Sequence, residues 1–248
     1  MAKKAYEKPF LGFIFIAPLV IYFLVFQLLP MILSLVLSFM EWNMLSDPTF
    51  VGLDNYINLF TNRLRYPDFW TSLGVTFTYI VLSVPFSIML CLVVSAMLNA
   101  NIKGETFLKT IFYLPSVTAG AAVAAMWTFM VDPQYGLINQ VMDTNISFLG
   151  SETLALPTLA VMAIWGGLGY NTLIMLAAMK GINPELYEAA SLDGANFVKK
   201  FFHITIPSVK PIIFFLTVTA LIGSFQTFDQ MYLMTGGGPN KSTLTYML

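Results

Sequence analysis

The stretch NPELYEAASLDGANFVKKFFHITIPSVKP, Asn183 to Pro211, is a polar island between two apolar spans, and its reading decides the rest. Glu185, Glu188, Asp193, Lys199, Lys200 and Lys210 stand in it, with Lys180 just before, in a chain that is 57% hydrophobic and only 10% charged. Asn183 is a good N-cap, Pro184 suits the first helical position because no N–H is needed there, and Glu185 and Glu188 sit at the positive end of the helix dipole. A helix is therefore predicted from Pro184. Gly194, after Asp193, is the residue best able to take the left-handed conformation that ends it. The helix then covers about ten residues and about 15 Å, too short to cross a membrane. A second short helix is predicted from Asn196 to Thr205, with Phe197 and Phe201 one turn apart. Pro207 is expected to break it and Pro211 to open the next helix. Ala189 and Ala190 keep the first helix slim enough for a partner to approach closely. On these grounds alone the island is either a loop lying on the membrane surface or a docking element.

Working outward, composition gives the class. A mean hydropathy of +0.75 and several apolar runs near the roughly 20 residues needed to span a bilayer identify an all-α, polytopic membrane helical bundle. Five spans are predicted. No charge appears from Pro9 to Met40, a run too long for a secretory signal and without a small-residue cleavage site, so it reads as a retained first span with Pro18 and Pro30 marking kinks or limits. Leu53, Tyr56, Ile57 and Phe60 then recur at helical spacing in a loop flanked by Trp42 and Trp70, which predicts a short helix at the surface. Further spans follow at about Thr71–Leu98, Ile111–Val131, bent by Pro115 and Gly120, Leu154–Met179 and Ile212–Met234. Residues 1–9 are read as a cytoplasmic N-terminus and 10–248 as one transmembrane domain containing the island, 183–210. The lone Cys91 lies in an apolar run and leaves the redox compartment unread.

Orientation follows from the cations. The N-terminus, the turn at Lys103 and the island would share one side and hold nine of the twelve Lys and Arg, against Arg63, Arg65 and Lys241 on the other. That bias places the N-terminus and the island in the cytoplasm.

Glu188-Ala189-Ala190, then three residues, Gly194, then nine residues, Ile204-Thr205-Ile206-Pro207 resembles the EAA signature of permease subunits of bacterial ABC importers. Ile206 stands where leucine is usual, a mild exchange. LYEAASLDGA around it, FVGLDNY (Phe50 to Tyr56) and LMTGGGPN (Leu233 to Asn240) resemble carbohydrate-type permeases of the maltose and glycerol-phosphate kind, which work with an extracellular or periplasmic solute-binding protein. The resemblance implies a type I importer permease in the plasma (inner) membrane. It further implies a cytoplasmic ABC ATPase dimer and a second EAA-bearing permease as partners. Glu188, Ala189, Ala190, Asp193, Gly194, Ile204 and Pro207 would then couple to the ATPases, Glu188 pairing with a basic residue there. Family permeases carry a sixth core helix after the GGGP stretch, for which KSTLTYML is too short, so a truncated chain is expected.

The solute path is sought in the last two spans. Thr217, Ala220, Gly223, Ser224 and Thr227 fall on one small, polar stripe, which is either a helix contact or a cavity wall. In the fourth span WGGLGYNT, Trp165 to Thr172, interrupts an apolar run, which is tolerated where it is buried or lines water. Aligned from Glu188 without a gap, Gly167 and Tyr170, together with Ala220, Gly223, Ser224 and Thr227, fall where maltose-type permeases contact their sugar. No basic residue is visible in the spans, which points to a neutral sugar rather than a phosphate. Asp229 either reaches the outer interface or helps hold an outer gate.

Several chemistries are excluded. GGGPNKST, Gly236 to Thr243, lacks the Gly before Lys and the strand–helix context of a phosphate loop. His203 has no ligand at metal spacing, and no nucleophile–base set or carboxylate pair suggests an enzyme. No cofactor and no nucleic-acid partner is expected. The rival class, a secondary transporter or channel, would need mid-span charges or inverted repeats, and no mid-span charge that would serve is found. An intramembrane enzyme or non-transporting scaffold has no motif in its favour.

Overall fold

The computed structural model describes residues 9–100 and 104–248, with side chains from Gly12 onward. Lys3, Lys4, Lys8 and Lys103, four of the cations on which the orientation rests, lie outside the described residues. The chain divides into two units, Met1–Pro67 and Asp68–Leu248.

In the first unit, α1 (Pro9–Phe23), a π-helical turn (Leu24–Leu28) and α2 (Leu29–Leu37) run on as a single apolar span. Pro18 sits inside α1, and Pro30 follows the wide turn, where Leu29 N–H reaches back to the Leu24 carbonyl. No described side chain of this span is buried, as suits a helix apolar on every side. A small antiparallel pair follows, β1 (Met40–Glu41) with β2 (Thr49–Phe50), the one departure from an all-α chain among the described residues. Next comes α3 (Asp54–Thr61), the predicted surface helix. Its Asn55 amide donates to the Ser38 and Met40 carbonyls, and Tyr56 OH meets Ser38 Oγ at 2.6 Å. Leu53, Ile57 and Phe60 remain exposed, as an interfacial helix requires.

The second unit holds the bundle. α4 (Pro67–Asn99) opens on the last residue of the first unit and is 33 residues long. The predicted third span is in fact two helices, α5 (Glu105–Val117) and α6 (Gly120–Met130), meeting at 102°. Thr118 and Ala119 carry extended ψ values of 140° and 130°, so the expected gentle bend is a break. After α7 (Leu137–Met142), α8 (Ala155–Lys180) passes through Trp165–Thr172 with its helix intact. The glycines there interrupt the apolar pattern and not the backbone, because in lipid no water competes for the helical hydrogen bonds.

The island forms α9 (Pro184–Leu192) and α10 (Phe197–Lys200). A second π-helical turn, Phe201–Thr205, then leads without interruption into α11 (Ile206–Phe225), and α12 (Asp229–Thr235) follows. Pro207 therefore does not break the helix, nor does Pro211 open one. Pro207 lies in the first turn of α11 directly after the wide turn, where Ile206 N–H bonds the Phe201 carbonyl, so its missing donor and its ring are accommodated. The predicted fifth span also ends early, at Phe225, with Gln226–Phe228 outside helical structure. Four helices among the described residues are long and apolar enough to cross a membrane, or five with the bent pair counted as one, in agreement with the five expected.

The main core joins α4, α8 and α11 through Ile88, Cys91, Val94, Leu168, Met175, Met179, Val209 and Leu216. A second cluster gathers Tyr79, Leu156, Leu159, Ala160 and Met231 at the other end. Close helix approach depends on small residues, as is usual in membranes. A Cβ on Gly169 would overlap the Phe112 carbonyl oxygen and lie 2.5 Å from Tyr113 Cα, so α5 crosses α8 at that glycine.

Candidate coupling helix and solute cavity

Two sites emerge in the second unit. The first is α9. Asn183 Oδ1 accepts from Glu185 N–H at 3.0 Å, the predicted N-cap. At the other end Gly194 takes φ +73°, while Gly194 N–H bonds the Ser191 carbonyl at 3.1 Å and Ala195 N–H bonds the Ala190 carbonyl at 2.9 Å. This pair of bonds is the Schellman arrangement, and it satisfies two carbonyls the helix end would leave open. Tyr187 OH meets Thr205 Oγ1 at 2.8 Å and Lys200 Nζ donates to Ser191 Oγ, which fold α9 back against the start of α11. No residue of α9 is buried, and Leu192 is 90% exposed. Glu188 and Asp193 are exposed too, and Glu188 has no ion-pair partner among the described residues. Ile204 and Pro207 lie beyond the Gly194 turn, on the π turn and the first turn of α11, at a distance in sequence that the fold closes.

At Gly194 a Cβ would meet nothing within 4 Å, so the position asks only for its backbone conformation. Gly194→Ala is expected to weaken the end of α9 by about 1 kcal/mol, the cost of a left-handed non-glycine residue. Amide exchange of Leu192–Ala195 should then quicken about fivefold. Unchanged exchange would contradict this account of the turn.

Glu105, at the start of α5, pairs with both Lys109 and Lys180, the latter at 2.8 Å, and so ties α5 to the end of α8 just before Asn183. Such a pair is partly exposed and modest in energy, and its contribution is to register.

The second site is a cavity of about 560 Å³. α4 contributes Tyr79, Ser83 and Ser87, the α5–α6 break contributes Pro115, Ser116, Thr118 and Gly120, and α8 contributes Gly166, Gly167 and Asn171. Ala220, Gly223 and Ser224 come from α11, Gln226 and Thr227 from the break after it, and Asp229 and Gln230 from the start of α12. Of the six residues predicted for the solute path, five therefore line the same cavity, Gly167 from α8 and Ala220, Gly223, Ser224 and Thr227 from α11 and the break after it. Thr227 reaches the cavity from the non-helical break and not from the α11 stripe. Tyr170 is not among the lining residues and is 55% exposed on α8, although it stands three and four positions after Gly167 and Gly166. Thr217 is not among the lining residues either; its hydroxyl bonds the Ile213 carbonyl.

Sequence reasoning missed the α4 wall. Ser72, Thr76, Tyr79, Ser83 and Ser87 are all buried and fall on one helical stripe, a hydroxyl spacing visible in the sequence. Ser83 donates to the Tyr79 carbonyl at 2.7 Å, Thr118 to Leu114 at 2.9 Å and Thr227 to Gly223 at 3.2 Å. Each of these hydroxyls spends its proton on its own helix or the turn before it and leaves oxygen lone pairs for a guest. The amides of Asn171 and Gln226 supply donors. Asp229 brings a carboxylate, placed favourably at the N-terminus of α12, and no Lys or Arg lines the cavity.

His203 is exposed with Nδ1 on the Lys199 carbonyl at 3.0 Å, and no group of three potential metal ligands occurs among the described residues. Lys241 pairs with Asp68, so the GGGPNKST stretch is a structured loop in which that lysine is engaged.

The chain matches the family model for a binding-protein-dependent transport system inner membrane component over residues 59–248. It is 41% identical over 245 residues to the probable ABC transporter permease protein YesP of Bacillus subtilis, covering 96% of this chain and 78% of that protein. Identity to the trehalose/maltose transport system permease protein MalF of Thermococcus litoralis is 31% over 252 residues, covering 100% of this chain and 84% of that one. Among solved structures, a chain of a bacterial alginate ABC transporter, crystallised in complex with an alginate pentasaccharide-bound periplasmic protein, superposes with a TM-score of 0.81 at 26% identity, covering 97% of this chain and 81% of that chain.

Proposed function

Because the chain belongs to the family of binding-protein-dependent transport system inner membrane components, we propose that its cavity is part of the path of an uncharged saccharide and that α9 is the element through which ATP drives the passage. The protein is a multi-pass permease subunit of an ATP-binding-cassette importer and not an enzyme; ATP is hydrolysed on separate subunits, and a solute-binding protein belongs to the system. The lining carries the choice of solute. Oxygen lone pairs from serine and threonine suit the hydroxyl donors of a polyol, Asn171 and Gln226 suit its ring and hydroxyl oxygens, and a volume of about 560 Å³ falls in the range of small-molecule sites. An anionic sugar would meet Asp229 with no lysine or arginine on this wall to offset it.

In this reading the exposed α9 docks in a cleft of a cytoplasmic ATPase dimer, with Glu188 against a basic residue and Ala189 and Ala190 allowing close approach. Asp193 and the Gly194 turn set the angle between α9 and the Ile204–Pro207 segment, so that a push on α9 passes into α11. A second EAA-bearing permease closes the path from the other side. The bias of basic residues supports a cytoplasmic N-terminus.

Uptake by proteoliposomes containing the assembled importer tests the solute class. Labelled neutral oligosaccharides, hexose phosphates and uronate oligosaccharides are offered with the binding protein present. Saturable, ATP-dependent uptake of neutral sugars alone is expected, and preferential uptake of either anionic class would overturn the assignment.

A further inference from the structure

The segment after α12, residues 236–248, has no regular helix or strand, yet it is anchored in the second unit by buried side chains and hydrogen bonds. Thr243 and Thr245 are 0% and 1% exposed. Thr243 Oγ1 donates to the Gly238 carbonyl at 2.8 Å and meets Thr235 Oγ1 at 2.7 Å, which folds the loop on itself. Leu248 packs with the Tyr79, Leu156 and Met231 cluster, and Lys241 reaches Asp68 at the start of α4.

Two bonds tie this strap to the cavity wall. Tyr246 N–H donates to Thr76 Oγ1 at 2.9 Å, on the α4 hydroxyl stripe one turn from Tyr79. Thr245 Oγ1 donates to the Thr227 carbonyl at 3.1 Å. Thr227 lies in the break between α11 and α12, where a carbonyl loses its regular helical partner and needs another donor. The same break turns Gln226 and Thr227 into the cavity. On the far side Gln230 Nε2 donates to Tyr79 OH, so the break is held from both flanks.

We infer that Thr245 is a positioning residue for the solute site: through the Thr227 carbonyl it holds the α11–α12 break open and keeps Gln226 and Thr227 facing the cavity. The inference rests on the reading of that cavity as the solute path, and its test uses neither sugar nor ATP.

The measurement is the rate at which a membrane-impermeant methanethiosulfonate, 2-(trimethylammonium)ethyl methanethiosulfonate, labels single cysteines in the full-length chain assembled with its partners, in a Cys91→Ala background. Gln226→Cys reports on the break, and Asn171→Cys, on the α8 wall, is the control. Thr245→Val removes the donor at nearly constant volume, and Thr245→Ser keeps it. With Thr245→Val the labelling rate at Gln226→Cys should change by roughly three- to tenfold, the range set by the net worth of one neutral hydrogen bond, while Asn171→Cys stays as it was. Thr245→Ser should restore the original rate at Gln226→Cys. An unchanged rate with Thr245→Val, an equal change at both reporters, or no labelling of Gln226→Cys in the otherwise unaltered chain would each overturn the role. The expected labelling pattern, together with failure of the assembled importer to move neutral sugars in the separate uptake assay, would instead count against the solute assignment and leave the role of Thr245 standing.

Discussion

Glu188→Lys is expected to abolish ATP-driven uptake while the permease still folds and inserts. Glu188 is exposed on α9 with no ion-pair partner among the described residues, so reversing its charge removes no internal contact and should change stability by no more than about 0.5 kcal/mol. At a docked interface the same change sets two positive groups together. Loss of a desolvated pair of that kind costs about 2–5 kcal/mol, at least about thirtyfold in productive engagement. Uptake per ATP hydrolysed, measured in proteoliposomes with the ATPases present, should fall by that factor or more, with normal yield and monodispersity of the permease. Coupled transport at the original ratio would remove Glu188 from the interface.

The second large effect is on folding. Gly169 is the point where α5 crosses α8, and a Cβ there would collide with backbone, the Phe112 carbonyl and Tyr113 Cα, which cannot rotate away as a flexible side chain would. Gly169→Val should therefore force the helices apart and cost about 3 kcal/mol or more, at the upper end of overpacking effects. The expected result is loss of monodisperse protein or a marked fall in the thermal unfolding midpoint. Gly166→Ala, four positions from Tyr170 on the same helix, is the control: a Cβ there meets nothing within 4 Å, and folding should be unaffected. Equal behaviour of the two variants would show that the α5–α8 contact does not depend on the glycine.

The island was legible in detail because its signals are local. A cap, a proline at the first helical position and a glycine after Asp193 act within a few residues of themselves, and α9 begins and ends where they predict. Apolar length likewise announced the membrane helices, since the bilayer imposes it regardless of tertiary packing. What sequence rules misjudged were the prolines and the glycines. Pro207 reads as a breaker, yet the π turn before it absorbs the irregularity, and nothing local distinguishes such a turn from a stop. Gly166, Gly167 and Gly169 look alike in sequence; that a Cβ would meet nothing within 4 Å at Gly166, only the Asn171 amide at 3.7 Å at Gly167, and a helix backbone at Gly169 depends on α5, which lies far back in the chain. Tyr170 is matched to a motif by alignment alone, and its spacing from Gly166 and Gly167 does not suffice to bring its ring into the cavity. The buried hydroxyls of α4 were within reach, because their spacing alone carries the signal.

The most direct test of the account is uptake by the reconstituted importer itself. The full-length permease is co-expressed with candidate ATPase subunits and a candidate companion permease, placed in liposomes and supplied with the loaded binding protein outside and ATP within. The account predicts accumulation of a neutral sugar that stops when ATP is replaced by ADP and when any one partner is omitted. Accumulation by the permease alone, without ATP, would contradict it and would identify a self-sufficient carrier.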